Sequence, residues 1–176
     1  MAAQPSLPHP ISVAEYLGTA YSPDCDYVDG LIEERNLGEW DHSSLQGNIF
    51  GFLWSRQKQW GIRVVPEQRV QVSPTRFRIP DVCVVLGEPD GQILRKPPVL
   101  CIEVLSPEDR LSRVRQRVDD YLEMGVPHVW VLDPETKTAF QITSVDGWRD
   151  VRTTSLTAVI SPTLTIEVPL SEIFLV

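Results

Sequence analysis

Two apolar runs, each interrupted by a single carboxylate, constrain this chain more than any other feature. Arg78-Ile79-Pro80-Asp81-Val82-Cys83-Val84-Val85 lies within a β-rich run from Phe77 to Leu86, and Cys101-Ile102-Glu103-Val104-Leu105 lies within one from Val99 to Leu105. A strand that is apolar on both faces belongs inside a sheet covered on both sides. An ionised carboxylate among aliphatic side chains is costly unless a cation, a proton or hydrogen-bond donors meet it. Asp81 and Glu103 on neighbouring strands therefore suggest one shared cation. The alternative is that each acid pairs with an arginine such as Arg78 or Arg110, or stands in water at a strand end.

The remaining periodicities build helices and strands around those runs. Ser12 with Glu15 is a capping box opening a short helix, and Asp29-Gly30 between Tyr27-Val28 and Leu31-Ile32 predicts a tight hairpin. Asp41 can cap a long helix whose Leu45, Ile49, Phe52 and Leu53 form one buried face, ending near Trp60-Gly61. Further β-rich runs are Ile62 to Val65 and Glu67 to Val72, in which Glu67, Arg69 and Gln71 alternate on one face. Ser106-Pro107-Glu108-Asp109 reads as a helix start, with Leu111, Val114, Val118, Tyr121 and Leu122 as the buried stripe and Gly125 as the stop. Strands follow at His128 to Leu132, Thr138 to Thr143 and Leu164 to Val168, with Asp146-Gly147 as a turn and a short helix after Pro169. The order suits an α/β (α+β) domain with a mixed sheet flanked by helices.

A chain of 176 residues is the size of one domain, expected at 11–176 behind a flexible proline-rich arm at 1–10. No stretch approaches the roughly 18 apolar residues of a membrane span, and the start lacks the order of an export signal. Cys25, Cys83 and Cys101 are odd in number without zinc-site spacing, which reads as reduced core thiols in a cytoplasmic protein. The net charge of −8 argues against a polyanionic partner. Its distribution argues the other way: between Arg56 and Arg117, twelve Lys or Arg face seven Asp or Glu, a local +5, while the rest of the chain carries −13. The same segment holds both candidate carboxylates; the alternative is a chance segregation of charge on a solvated surface.

Hard cations such as Mg²⁺ take oxygen ligands, which suits two carboxylates and a backbone carbonyl such as that of Val104. The chemistry natural to such a site is phosphodiester hydrolysis. His42 and Gln46, four apart on the long helix, share a face and either reach the phosphate or pack as polar residues.

Pro80-Asp81, then Glu103-Val104-Leu105-Ser106-Pro107, Tyr121, Gly125-Val126 and Val129-Trp130-Val131-Leu132-Asp133-Pro134 form an ordered series. With Asp29-Gly30, Glu34-Arg35, His42-Ser43 and Gln46, the series resembles the Uma family of restriction-endonuclease-like proteins, within the PD-(D/E)XK nuclease superfamily. The resemblance implies a restriction-endonuclease-like core, Mg²⁺ (with Mn²⁺ as a substitute) and a DNA substrate. It implies Asp81 and Glu103 as the metal-binding acids, and it matches Glu34 to a third acid that some members use.

One position departs from the pattern: the superfamily places a lysine two residues after the second acid, and here that residue is Leu105. In Uma relatives a lysine commonly stands on the following helix, four residues before the tyrosine, and here that residue is Arg117. At about 100° per residue, Arg110 and Arg117 border the buried stripe, from which they can reach a phosphate; the alternative for Arg117 is a helix-surface pair with Glu123 or Asp120. Arginine stabilises charge but stays protonated, so it cannot act as a general base. Three functions follow as expectations: a Mg²⁺-dependent DNA endonuclease of weakened activity; an inactive nuclease-fold DNA-binding or scaffold protein; or a hydrolase of a small phosphorylated compound. Trp40, Trp54 and Trp60 around the long helix are read first as core packing, and leave room for contact between subunits, with a dimer the expected oligomer.

Overall fold

The computed structural model describes residues 9–35, 38–151 and 154–175. Of the arm expected at residues 1–10, everything before His9 lies outside the described residues.

The two acid-bearing runs do become neighbouring inner strands. β6 (Val82–Leu86) and β7 (Leu100–Val104) pair antiparallel, with Cys83 opposite Cys101. They belong to a six-stranded sheet with β3 (Ile62–Pro66), β8 (His128–Asp133), β9 (Thr138–Thr143) and β10 (Gly147–Val151), in the order β10-β9-β8-β7-β6-β3. β7 and β8 run parallel and all other neighbours antiparallel, so the sheet is mixed. A parallel pair needs a crossover, here supplied by α3 (Leu111–Met124).

The alternation of β7 sorts its side chains between two cores. Leu100, Ile102 and Val104 pack with Val82 and Val84 beneath Leu45, Ile49 and Leu53 of α2 (Trp40–Trp60). A hairpin of β11 (Ser155–Ser161) and β12 (Leu164–Pro169), with α4 (Leu170–Ile173), completes that layer. On the other face Cys83, Cys101, Val129 and Val131 pack against Val114, Val118 and Tyr121 of α3. Each fully buried aliphatic side chain contributes about 1.5–3 kcal/mol. All three cysteines are buried and unpaired, and among the described residues no helix is long and apolar enough to cross a membrane.

A smaller sheet, ordered β2-β1-β5-β4, stands beside the first and contains β1 (Cys25–Val28), β2 (Leu31–Glu34), β4 (Val70–Ser73) and β5 (Arg76–Arg78). Asp29 and Gly30 turn its hairpin with φ of 50° and 97°, as the dipeptide predicts. Tyr16 of α1 (Val13–Gly18) stacks on Tyr27 at 4.9 Å between ring centroids, with Phe77 alongside.

Several expectations are corrected. The run from Phe77 to Leu86 is not one strand: β5 belongs to the small sheet and β6 to the large one, and Ile79-Pro80-Asp81 crosses between them. Pro80 has no N–H to give a ladder, which permits the switch there. Glu67, Arg69 and Gln71 do not share a strand face, because β4 begins at Val70 and Glu67 takes a left-handed φ of 48°. The helix expected from Ser106 begins at Leu111. Asp109 closes a turn instead, its N–H donating to the Ser106 carbonyl at 2.9 Å and its Oδ2 accepting from the Ser106 N–H at 2.8 Å. α2 begins at Trp40 behind Glu39, so Asp41 sits in its first turn. β10 and β11 have no counterpart among the strands read from sequence; the exposed Trp148, Arg149 and Asp150 of β10 show no apolar alternation.

Candidate active site

The two sheets, α2 and α3 meet at an acidic cleft of about 260 Å³. Asp81 and Glu103 both line it, together with Val104, His42, Gln46, Arg35, Arg113 and Arg117. Asp81 is 2% exposed and stands just before β6, where the chain has left the small sheet. Its Oδ1 accepts from Arg35 Nη2 at 2.6 Å and its Oδ2 from the Val104 N–H at 2.7 Å. His42 Nε2 lies 3.5 Å from Oδ2. Gln46 Nε2 and the Glu67 N–H donate to the Asp81 carbonyl at 3.1 and 3.2 Å. The shared helix face of His42 and Gln46 is thus spent on positioning Asp81, with Gln46 holding its backbone.

Glu103, 3% exposed, is held from α3. The Tyr121 hydroxyl donates to Oε1 at 2.6 Å, and Arg117 Nε stands 2.9 Å from Oε2. Arg117 Nη2 also donates to Asp109 Oδ1 at 3.1 Å, so the turn that replaces the expected helix start anchors the guanidinium. Burial pushes the Glu103 carboxyl up to about 7; Arg117 pulls it down and the Asp81 charge pushes it up. Asp81 is held below its ordinary range, because His42 and Arg35 outweigh its burial. Burial lowers the pKa of His42, but the Asp81 carboxylate overrides that and raises it.

Placement of the other expected residues is uneven. Glu34, at the exposed end of β2, lines the cleft rim. Arg110 is the residue capping α3, exposed and apart from the residues that line the cleft, so it does not share a helix border with Arg117. Arg113, four residues before Arg117, takes the rim position instead. Leu105 packs into the core on the α3 side of the sheet and lines a neighbouring, more apolar cavity. Of Glu67, Arg69 and Gln71, Glu67 lines the cleft; Arg69 binds Asp24, and Gln71 accepts from Arg95. The arginines paired with Asp81 and Glu103 are Arg35 and Arg117, rather than the Arg78 or Arg110 of the sequence-based alternative. Sequence reasoning passed over Arg35, Arg113 and the Tyr121 hydroxyl as site residues. The spacing of 113, 117 and 121 along one helix face was an available signal for the last two.

Part of the basic segment is turned inward on carboxylates. Arg63, Arg69, Arg76, Arg78 and Arg117 are all in ion pairs, and Arg78 is fully buried against Asp26, Glu33 and Asp120. The local excess of +5 is largely neutralised by carboxylates from elsewhere in the chain.

The donor set suits a hard divalent cation: two carboxylates facing one cleft, joined by the strand backbone at Val104. The upward push of the Asp81 charge on Glu103 is the kind of conflict that a cation between them relieves. Among the described residues, no group of three or more His, Cys, Asp or Glu is arranged to hold a metal, so the ligands to be considered are this pair and the backbone.

Residues 14–171 match the family Uma2, described as "Putative restriction endonuclease". The chain belongs to that family. Its fold is also that of solved structures, among them a protein from Anabaena variabilis described as "a putative nuclease belonging to DUF820". The two superpose with a TM-score of 0.80 at 21% identity, over 94% of this chain and 98% of the other. No curated protein matches it. Family and fold agree with the resemblance read from the sequence, and with a restriction-endonuclease-like nuclease as the coarse functional class.

Proposed function

We propose that this protein is a Mg²⁺-dependent endonuclease that hydrolyses phosphodiester bonds in DNA with water as nucleophile. The observation that carries the reading is the convergence of Asp81 and Glu103, both nearly fully buried, on one cleft of a restriction-endonuclease-like fold. Asp81, Glu103 and the Val104 carbonyl would hold Mg²⁺, or Mn²⁺ in its place. Such an ion acidifies a bound water and stabilises charge on the phosphate.

The chain's own residues supply the rest. Val104, His42 and Gln46 fix the Asp81 carboxylate and its backbone. Tyr121 and Arg117 fix Glu103. Arg117 remains cationic, so its part is to balance charge on the reacting phosphate, with Arg113 at the rim. His42 acts through Asp81, its Nε2 facing that carboxylate and its Nδ1 buried without a partner. Glu34 is placed to act on the approach to the cleft. With no lysine at 105 or 117, no side chain in the usual place takes the proton of the attacking water, and the rate is expected to be low.

The chain from 11 to 176 would act as one domain in the cytoplasm, as a dimer contacting through the exposed Trp40 and Trp54 of α2. Nicking of supercoiled plasmid by purified protein in Mg²⁺ or Mn²⁺ tests the activity. Cleavage no greater than that of Asp81→Ala sinks it. Leu105 and the Arg117–Glu103 ion pair favour a second reading, a nuclease fold that binds DNA without cutting it. Salt-dependent DNA binding that survives loss of both carboxylates, without nicking, selects that reading.

A further inference from the structure

The side chain that holds Asp81 most closely is one that the metal reading leaves without a role. Arg35 follows β2 and reaches into the cleft, where its Nη2 lies 2.6 Å from Asp81 Oδ1. Its Nη1 lies 4.0 Å from Glu67 Oε1. The two carboxylates differ sharply: the Asp81 side chain is 3% exposed and that of Glu67 is 62% exposed, with Arg35 itself at 21%. Glu67 is brought there by its left-handed φ of 48° and by its N–H bond to the Asp81 carbonyl, so inner and outer acids are tied through the backbone.

From this arrangement we propose that Arg35 is a resident counter-ion with two seats. In the metal-free protein it occupies the oxygen of Asp81 that a divalent cation needs, and when a cation binds it moves outward onto Glu67. The inference rests on Asp81 being a metal ligand, as proposed above.

The physical case is one of competition. A buried carboxylate left alone is costly, so a protein that folds without metal needs a substitute cation at that place. Each carboxylate oxygen of Asp81 carries two lone pairs, and Oδ2 already faces two donors, the Val104 N–H at 2.7 Å and His42 Nε2 at 3.5 Å. Oδ1, met by Arg35 at 2.6 Å, is the less crowded oxygen, so a cation arriving at Asp81 meets the guanidinium there. A guanidinium cannot lose its charge to step aside. It has to move, and a second acid within 4.0 Å makes a short swing sufficient. Glu67 faces water, where an exposed ion pair is weak, so the outer seat does not draw Arg35 away before a cation arrives.

Calorimetric titration of the full chain with Mn²⁺ tests this, using wild type, Arg35→Gln, Glu67→Gln and the double variant. Arg35→Gln is expected to bind Mn²⁺ about tenfold tighter, and Glu67→Gln several-fold weaker than wild type. The Glu67→Gln effect should vanish in the Arg35→Gln background, because the two residues then act through one equilibrium. Equal or weaker binding by Arg35→Gln overturns the proposal. So does a Glu67→Gln effect that persists without Arg35, since it would mark Glu67 as a simple long-range charge. If Arg35→Gln does not fold, Arg35→Lys, which loses the fork but keeps a charge, should bind more tightly than wild type, and equal binding overturns the proposal. Asp81→Asn separates the two readings. Mn²⁺ binding that depends on Asp81 but is indifferent to Arg35 sinks the counter-ion role alone, whereas no binding by any variant sinks the metal site itself.

Discussion

Arg117 Nε stands 2.9 Å from Glu103 Oε2, so a side chain from α3 occupies the polar position that Leu105 leaves empty on the same side of the sheet. The cation has moved from the strand to the helix without leaving the carboxylate.

Replacing Arg117 by lysine should therefore raise activity. A lysine amine can lose its proton and serve as a base, which a guanidinium cannot. Arg117→Lys is expected to increase the plasmid-nicking rate at pH 8 by about tenfold or more. Arg117→Ala leaves Glu103 buried beside Asp81 with its main counter-ion gone, and should cost about 3 kcal/mol in urea denaturation as well as activity.

Stability should fall as pH rises from 4.5 to about 7. Below 4.5 Glu103 is protonated both folded and unfolded; in the window only the folded state keeps the proton; above about 7 both states lose it. Folding takes up a proton across that interval, so the unfolding free energy declines with pH, by on the order of 3 kcal/mol. His42, raised above 6.5, adds a loss of the same sign as pH climbs through its folded value. Denaturation midpoints at pH 5 and 7.5 measure the slope, and Glu103→Gln should remove the part between 4.5 and about 6.5.

The salt dependence of DNA binding should be shallow. Arg113 faces the cleft rim, while five arginines of the basic segment are already matched by carboxylates. Those five are expected to release few counter-ions, so the log–log slope should be shallower than that of a surface on which all twelve basic residues of the segment met phosphates. Fluorescence anisotropy from 50 to 200 mM salt, in Ca²⁺ to block cleavage, reads it directly.

How much of this was legible beforehand follows from where the physics is local. Asp81 and Glu103 stand out because a carboxylate inside an aliphatic run contradicts its neighbours, and that contradiction is visible in one dimension. Asp29-Gly30 and Gly125 were readable because positive φ is a property of the residue itself. Arg35 was not, since its partner is 46 positions away and only the pairing of β1 with β5 brings them together. The charge of the basic segment misled for the same reason: a count along the chain does not see Asp24, Asp26 or Asp120 arriving from other elements. Ser106 to Asp109 carries helix-start chemistry, yet the same side chain can close a turn, and a tertiary partner for Asp109 in Arg117 decided between them.

Asp120→Asn should destabilise the protein by about 3 kcal/mol although it lies outside the cleft. Asp120 accepts from Arg78 Nε at 2.7 Å and Arg76 Nη1 at 2.8 Å. The exposed neighbour Asp119, changed to Asn, should move the urea midpoint by less than about 0.5 kcal/mol. Equal effects from the two would show that the buried pairing carries no stability.

Arg78 lies three positions before Asp81 and is bonded at once to β1, β2 and α3 through Asp26, Glu33 and Asp120. One guanidinium thus acts as a surveyor's benchmark for Asp81, with three independent sightlines fixing where the chain crosses between the sheets. Change at Arg78 itself has to be concerted, because its loss leaves Asp26 buried without its cationic partner. The acids around Arg78 therefore testify to folding rather than to turnover.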